Sequence, residues 1–227
     1  MKRILLSIIA MIGLGQSAQA AGGDDPLRTM LVMDRFEVLN NDENTRVWEG
    51  SFYLGYDIDK LYLYSAGEAT ADGLEASQNE LVYSRAIAPF WDAQVGLVYD
   101  KNADASKTWA EVAIAGLAPY YFETRAALLV NGDGNVGLRL DAEYEALFTQ
   151  KLILSSSVEA DFYTKDDESM QLGSGFSSIE AGLRLRYEIQ REFAPYVGVT
   201  WERNFGTTND YNPVNETNFL VGVRFWF

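Results

Sequence analysis

The sequence predicts an all-β protein, a transmembrane antiparallel up-and-down β-barrel of about 12 strands. Three observations carry that expectation. An export signal is followed by no apolar stretch long enough for a membrane helix. Short alternating segments recur from residue 29 to residue 227. The connections between them alternate between short turns and generally longer polar loops.

Met1-Lys-Arg3 is a positive n-region, residues 4–14 form a short apolar core, and Ala18-Gln-Ala20 is a small-x-small cleavage site. That order is the signature of a secretory signal peptide, and its apolar core is too short to span a bilayer permanently. The expected organisation is a signal peptide over 1–20, a short periplasmic segment over 21–28 and an outer-membrane barrel over 29–227.

The strand-like runs follow in order. The first, 29–39, carries Met30, Met33 and Asp34, and the second, 45–57, carries Trp48 and Glu49. The third, 60–70, lies between the short turn Ile58-Asp59 and the polar piece 71–76, and the fourth, 77–88, stops at Pro89-Phe90. Proline cannot donate to a ladder, so it belongs at such a turn. The fifth and sixth, 91–100 and 107–117, bring Trp91, Asp92, Trp109 and Glu111, and the seventh, 121–130, brings Glu123 and Arg125. In the eighth, 135–147, Val136, Leu138, Leu140, Ala142 and Tyr144 oppose Arg139, Asp141, Glu143 and Glu145. The ninth, 150–163, carries Glu159 and Asp161. In the tenth, 177–189, Ile179, Ala181, Leu183, Leu185, Tyr187 and Ile189 oppose Glu180, Arg184, Arg186 and Glu188. The eleventh, 193–204, contains Trp201 and Glu202. The twelfth, 217–227, sets Phe219, Val221, Val223, Phe225 and Phe227 against Gly222 and Arg224. Alternation with period two puts each set on its own face of a strand.

Short connections at 58–59, 89–90, 118–120, 148–149 and 190–192 alternate with polar pieces at 40–44, 71–76, 101–106, 131–134, 164–176 and 206–216. Periplasmic turns and external loops of outer-membrane barrels alternate in this way, and an even strand count puts both termini on the periplasmic side. A soluble barrel would share the alternating faces but would bury the apolar one. Aromatic placement decides between the two solvents. Trp91, Tyr120, Tyr121, Phe148, Phe193 and Phe227 fall at short-turn ends, and Trp48, Trp109, Phe162 and Trp201 nearer the loops. Two aromatic bands are what the two bilayer interfaces select. The outer-membrane lipid bilayer is therefore the expected partner of the outer face.

Composition removes several functions. The chain has no histidine and no cysteine, which excludes Ser-His and Cys-His catalysis and the usual zinc sites. A net charge of -15 argues against nucleic acid and favours cations. An enzymatic barrel such as an outer-membrane lipase would lack its usual histidine base.

Several segments together resemble a known family. These are Asp25-Pro-Leu-Arg-Thr-Met30, Tyr83-Ser-Arg-Ala-Ile-Ala-Pro-Phe-Trp-Asp92, Gly116-Leu-Ala-Pro-Tyr120, Leu138-Arg-Leu-Asp-Ala-Glu-Tyr-Glu145, Gly182-Leu-Arg-Leu-Arg-Tyr-Glu-Ile189 and Glu192-Phe-Ala-Pro-Tyr-Val-Gly198. The set is similar to the outer-membrane copper-resistance protein B family from about Asp25 to Phe227. The resemblance implies a barrel that binds copper ions as ligands, contributes to copper tolerance and cooperates with other periplasmic copper-handling proteins. Members of that family commonly carry a Met- and His-rich segment before the barrel, where this sequence has only Ala21-Gly-Gly-Asp-Asp25. Any metal role is then expected of the barrel itself.

With apolar faces turned to lipid, Glu49, Asp92, Glu111, Glu123, Arg125, Arg139, Asp141, Glu143, Glu145, Glu159, Asp161, Glu180, Arg184, Arg186, Glu188, Glu202 and Arg224 point into the lumen. The candidate metal site is Met30, Met33, Glu143, Glu145 and Glu188, low in the barrel, with Arg186 setting its charge. Met30 and Met33 share a face only if a bulge intervenes. The competing reading is a lumen filled by salt bridges, as in other barrels of modest size. An acidic lumen would favour passage of cations, so copper transport is one expectation. A general porin or structural barrel without metal preference is the other.

Overall fold

The computed structural model describes residues 25–227. The expected signal peptide and the first residues of the short periplasmic segment lie outside them. Twelve antiparallel strands close into one barrel in sequence order. They are β1 (Arg28–Leu39), β2 (Arg46–Gly55), β3 (Asp59–Ala69), β4 (Leu74–Ala88), β5 (Trp91–Asn102), β6 (Ser106–Ala118), β7 (Phe122–Asn131), β8 (Val136–Leu147), β9 (Leu152–Tyr163), β10 (Gly175–Tyr187), β11 (Phe193–Asn204) and β12 (Asn215–Trp226). Each expected run is a strand. The pairs Val32↔Trp226, Met33↔Phe225 and Val38↔Val221 join β1 to β12, so no edge is left unpaired. Among the described residues no helix is long and apolar enough to cross a membrane.

The faces are inverted relative to a water-soluble protein. Leu81, Leu97, Val112, Leu128, Leu183, Val197 and Phe219 lie bare on the outside, while Glu37, Glu80, Glu111, Arg139, Arg184 and Arg186 are buried inside. The alternation that makes a strand thus sorts apolar groups to lipid and ionised groups to the lumen.

One end of the barrel has the tight connections 56–58, 89–90, 119–121, 148–151 and 188–192, and both described ends of the chain lie there. The other end has 40–45, 70–73, 103–105 and 132–135, together with the two longest connections, 164–174 and 205–214. Those two long connections contain local structure: a 3-10 turn at Glu168–Met170 and a short helix α1 at Gly206–Tyr211. Thr208 of α1 ties them together, its hydroxyl 2.8 Å from both Gly173 N and Ser177 Oγ.

The loop-end aromatic band differs from expectation at one position. Trp48 packs on the outer face over Gly67, where a Cβ would come within 2.5 Å of the indole. Phe162, Phe176 and Phe205 stack with ring centroids 4.9 and 4.6 Å apart. Trp109, however, is fully buried and belongs to the lumen. The parity of β6 decides this: Val112 and Ile114 face out, so Trp109, Glu111 and Ala113 face in. Trp109 packs with Val98, Leu129 and Tyr163 as an apolar layer within the loop half of the barrel.

Candidate functional site

Inside the barrel, most arginines are claimed by carboxylates on strands that are not their neighbours. Arg184 (β10) donates to Glu37 (β1) at 2.9 and 3.0 Å, and Tyr196 (β11) donates to the same carboxylate at 2.9 Å. Arg35 (β1) bridges Glu49 (β2) at 2.9 Å and Glu159 (β9) at 2.7 Å, with Glu180 (β10) 3.7 Å away. Arg125 (β7) reaches Glu80 (β4) at 2.5 Å and also pairs with Glu111 (β6). Arg139 (β8) holds Asp100 (β5) at 2.6 Å and the Tyr163 hydroxyl at 3.1 Å. These bonds brace the wall across the lumen and fill much of it. Ion pairs removed from water survive only with such multiple, well-aligned partners.

The short-turn half holds a cavity of about 290 Å³. Asp34, Glu49, Glu123, Glu143 and Glu145 face Arg35, Arg184, Arg186 and Arg224 across it, with Ser155 and Tyr196. Arg224 is bonded to Asp34 at 2.9 Å and Arg186 to Glu145 at 2.8 Å. Glu123 and Glu143 are different. They are direct cross-strand partners on β7 and β8, so two like charges stand opposite each other. Ser155 donates to Glu143, but among the described residues neither carboxylate forms an ion pair, the nearby Arg224 and Arg186 being bonded to Asp34 and Glu145. Towards the short-turn opening a second space of about 460 Å³ shares Glu123, Glu143 and Glu145 and is rimmed by Leu117, Tyr121 and Leu147. An apolar lip thus leads to Glu123 and Glu143.

Of the candidate metal residues, Glu143 and Glu145 line the cavity, and Glu188 stands beside it, 3.8 Å from Arg186. The two methionines part company. Met30 pairs with Tyr53 on the lumen face, whereas Met33 pairs with Gly50 and Phe225 on the lipid face. The β1 bulge does exist, but it falls between Met33 and Arg35. It turns Asp34, Arg35 and Glu37 inward instead of Met33. Neither methionine lines the cavity. Among the described residues no group of three or more carboxylates is gathered closely enough to hold a metal ion.

The expected lumen charges Glu49, Arg125, Arg139, Glu180 and Arg184 all take part in the ion pairs above, and Asp141 sits opposite Arg125 in the β7–β8 register. Sequence reasoning missed Glu37, Glu80 and Asp100. Alternation with the outward Leu81 and Tyr99 would have found the last two; Glu37 is hidden by the bulge.

At the loop end Lys107 reaches Asp133 at 2.8 Å and also pairs with Asp167. Burial disfavours the charge on Asp167, but bonds from Lys107 and Ser169 outweigh it and hold this carboxyl below the usual carboxylate range. The contribution of Asp167 to the Lys107 pair is therefore present in full above that range and is lost as pH falls beneath it.

Comparison with known proteins follows the same lines. The model of the family described as Copper resistance protein B precursor (CopB) matches residues 27–227. A copper resistance protein B of Escherichia coli is 39% identical over 210 residues, covering 90% of this chain and 71% of that protein. A copper resistance protein B homolog of Pseudomonas syringae pv. tomato is 38% identical over the same shares. Among solved structures the NanC porin is similar with TM-score 0.57 at 12% identity, over 87% of this chain and 99% of that one. The KdgM porin gives 0.51 at 13%, over 87% and 99%. At such identities the porins speak for the fold alone, an outer-membrane type of barrel. The sequence relatives speak for the family: this chain belongs to the copper resistance protein B family.

Proposed function

We propose that this barrel serves copper resistance by binding copper ions in the cavity of its short-turn half, which faces the periplasm together with both chain termini. The observation that carries the reading is the pair Glu123 and Glu143: carboxylates opposite each other on β7 and β8, open to a cavity and outside the ion pairs of the described residues. A divalent cation between them would relieve their repulsion. Glu145 and Glu188 add negative charge nearby, and Arg186 limits it. Met30 on the lumen face is the one soft donor of its strand that could assist, while Met33 on the lipid face cannot reach.

Oxygen donors without thiolate or imidazole favour Cu(II) over Cu(I). Because the carboxylates are not gathered into a finished coordination sphere, binding would be loose and exchangeable, as suits an ion that must enter and leave. Copper is cargo here and not a catalytic group; the absence of histidine and cysteine and the porin-like fold support a non-enzymatic role. Delivery to or from periplasmic copper-handling proteins is compatible with a cavity open on that side.

Titration of the detergent-purified barrel with Cu(II) tests this. Glu123→Gln/Glu143→Gln should weaken binding by at least about tenfold. Met30→Leu should leave it within about threefold. Unchanged affinity in the double variant would remove the cavity from copper binding.

A further inference from the structure

Two layers lie at the loop end of the lumen. The inner layer is the apolar group Val98, Trp109, Leu129 and Tyr163, buried on the lumen face of β5, β6, β7 and β9. The outer layer is the 164–174 connection, whose Leu172 packs on that group. We propose that this connection is a gate strap: a small rigid flap, latched across the mouth by Lys107, that closes the lumen and opens when the latch is released.

Three features support it. The flap is held together by its own bonds, since Asp167 N donates to Leu172 O at 2.7 Å and Leu172 N to Asp167 O at 3.0 Å. Such a closed loop moves as a unit. Besides the packing of Leu172 on the apolar group, its ties to β5 and β6 are polar. Lys107 holds Asp167, and Asn102 Nδ2 donates to Ser169 O at 3.0 Å. Both partners come from β5 and β6, while the flap springs from β9 and β10; β7 and β8 lie between in the wall. Along the rim the flap is also tied to the 132–135 connection, where Asn135 Nδ2 donates to Lys165 O at 3.0 Å and Lys165 Nζ to Asp133 O at 2.8 Å, so Lys107 completes a line of contacts that ends on β5 and β6. Finally, the flap returns to the wall through Gly173 and Gly175, and Gly175 has φ +91, a conformation other residues rarely adopt. Gly175, with open space around it, gives the flap a place to turn, while Gly173 is held by Thr208.

The inference goes beyond copper binding and does not depend on it. In the closed state the strap seals Leu172 onto the inner apolar group and an ion entering from the short turns leaves the same way; lifting the strap withdraws Leu172 and unseals that group.

The chain has no cysteine, so Met170→Cys, at a buried position of the flap, creates a single reporter thiol. A membrane-impermeant maleimide should label M170C slowly, and M170C/K107M faster by about tenfold, because the flap loses charge-assisted bonds. Potassium chloride conductance of K107M in planar bilayers should show open events about ten times as frequent as the unsubstituted barrel, and K107R should restore closure. Equal labelling rates with and without K107M would overturn the latch. Steady porin-like conductance of the unsubstituted barrel would overturn closure itself. Asp167→Asn is the second variant, and its labelling is read in the same way. Potassium and maleimide are indifferent to the copper site, so failure here leaves the copper proposal standing, and the converse also holds.

Discussion

Glu37→Leu should destabilise the barrel by about 3–5 kcal/mol, the largest effect expected of any single lumen substitution. The Glu37 and Arg184 side chains are 2% and 7% exposed, so the change leaves a guanidinium buried without its partner. It also leaves the Tyr196 hydroxyl without its acceptor. The three groups sit on β1, β10 and β11, so the loss falls where the barrel closes on itself. Glu37→Leu/Arg184→Leu should recover most of the stability, because replacing both partners of a buried pair with apolar groups is often neutral. Urea unfolding in detergent micelles, followed by tryptophan fluorescence, measures both. A single variant within about 1 kcal/mol of the parent would mean that the pair does not brace the closure.

Val112→Arg is expected to cost about 2–4 kcal/mol in a bilayer, because the position lies midway along β6 on the lipid face. Its neighbours across the ladder, Val95 and Leu128, are outward and apolar, so the new charge finds no partner. Thr108→Arg, on the same face but near the loop end, should cost about 0–1 kcal/mol, since the side chain reaches the headgroups. Unfolding in lipid vesicles resolves the depth dependence. Equal costs at the two positions, or none at Val112, would contradict the lipid-facing assignment of the outer wall.

Both substitutions rest on face assignments that differ in how they were legible. Val112 could be placed from alternation, since its apolar neighbours at i±2 repeat along β6. Glu37 could not, because the register of β1 slips between Met33 and Arg35. Counting from Met30 by twos leads to the wrong face after one extra residue. The same slip explains why Met33 lies on lipid while Asp34 reaches Arg224. Trp109 shows the reverse case: a tryptophan near a strand end suggests a bilayer interface, but its parity with Glu111 sends it into the lumen.

By itself the sequence determined the barrel, its twelve strands, its two unlike ends and the inward direction of most of its charges. These are local or periodic properties, set by alternation, turn residues and the need of every strand to show one face to lipid. Only the tertiary structure decided which charges neutralise one another, for partners such as Arg184 and Glu37 stand 147 residues apart and meet only across a closed lumen. It decided likewise that Glu123 and Glu143 stand outside the ion pairs of the described residues beside a cavity, and that Leu172 of the 164–174 connection packs on the apolar group of β5, β6, β7 and β9. Pairing across a lumen depends on shear, bulges and side-chain reach, and none of these leaves a period in the chain.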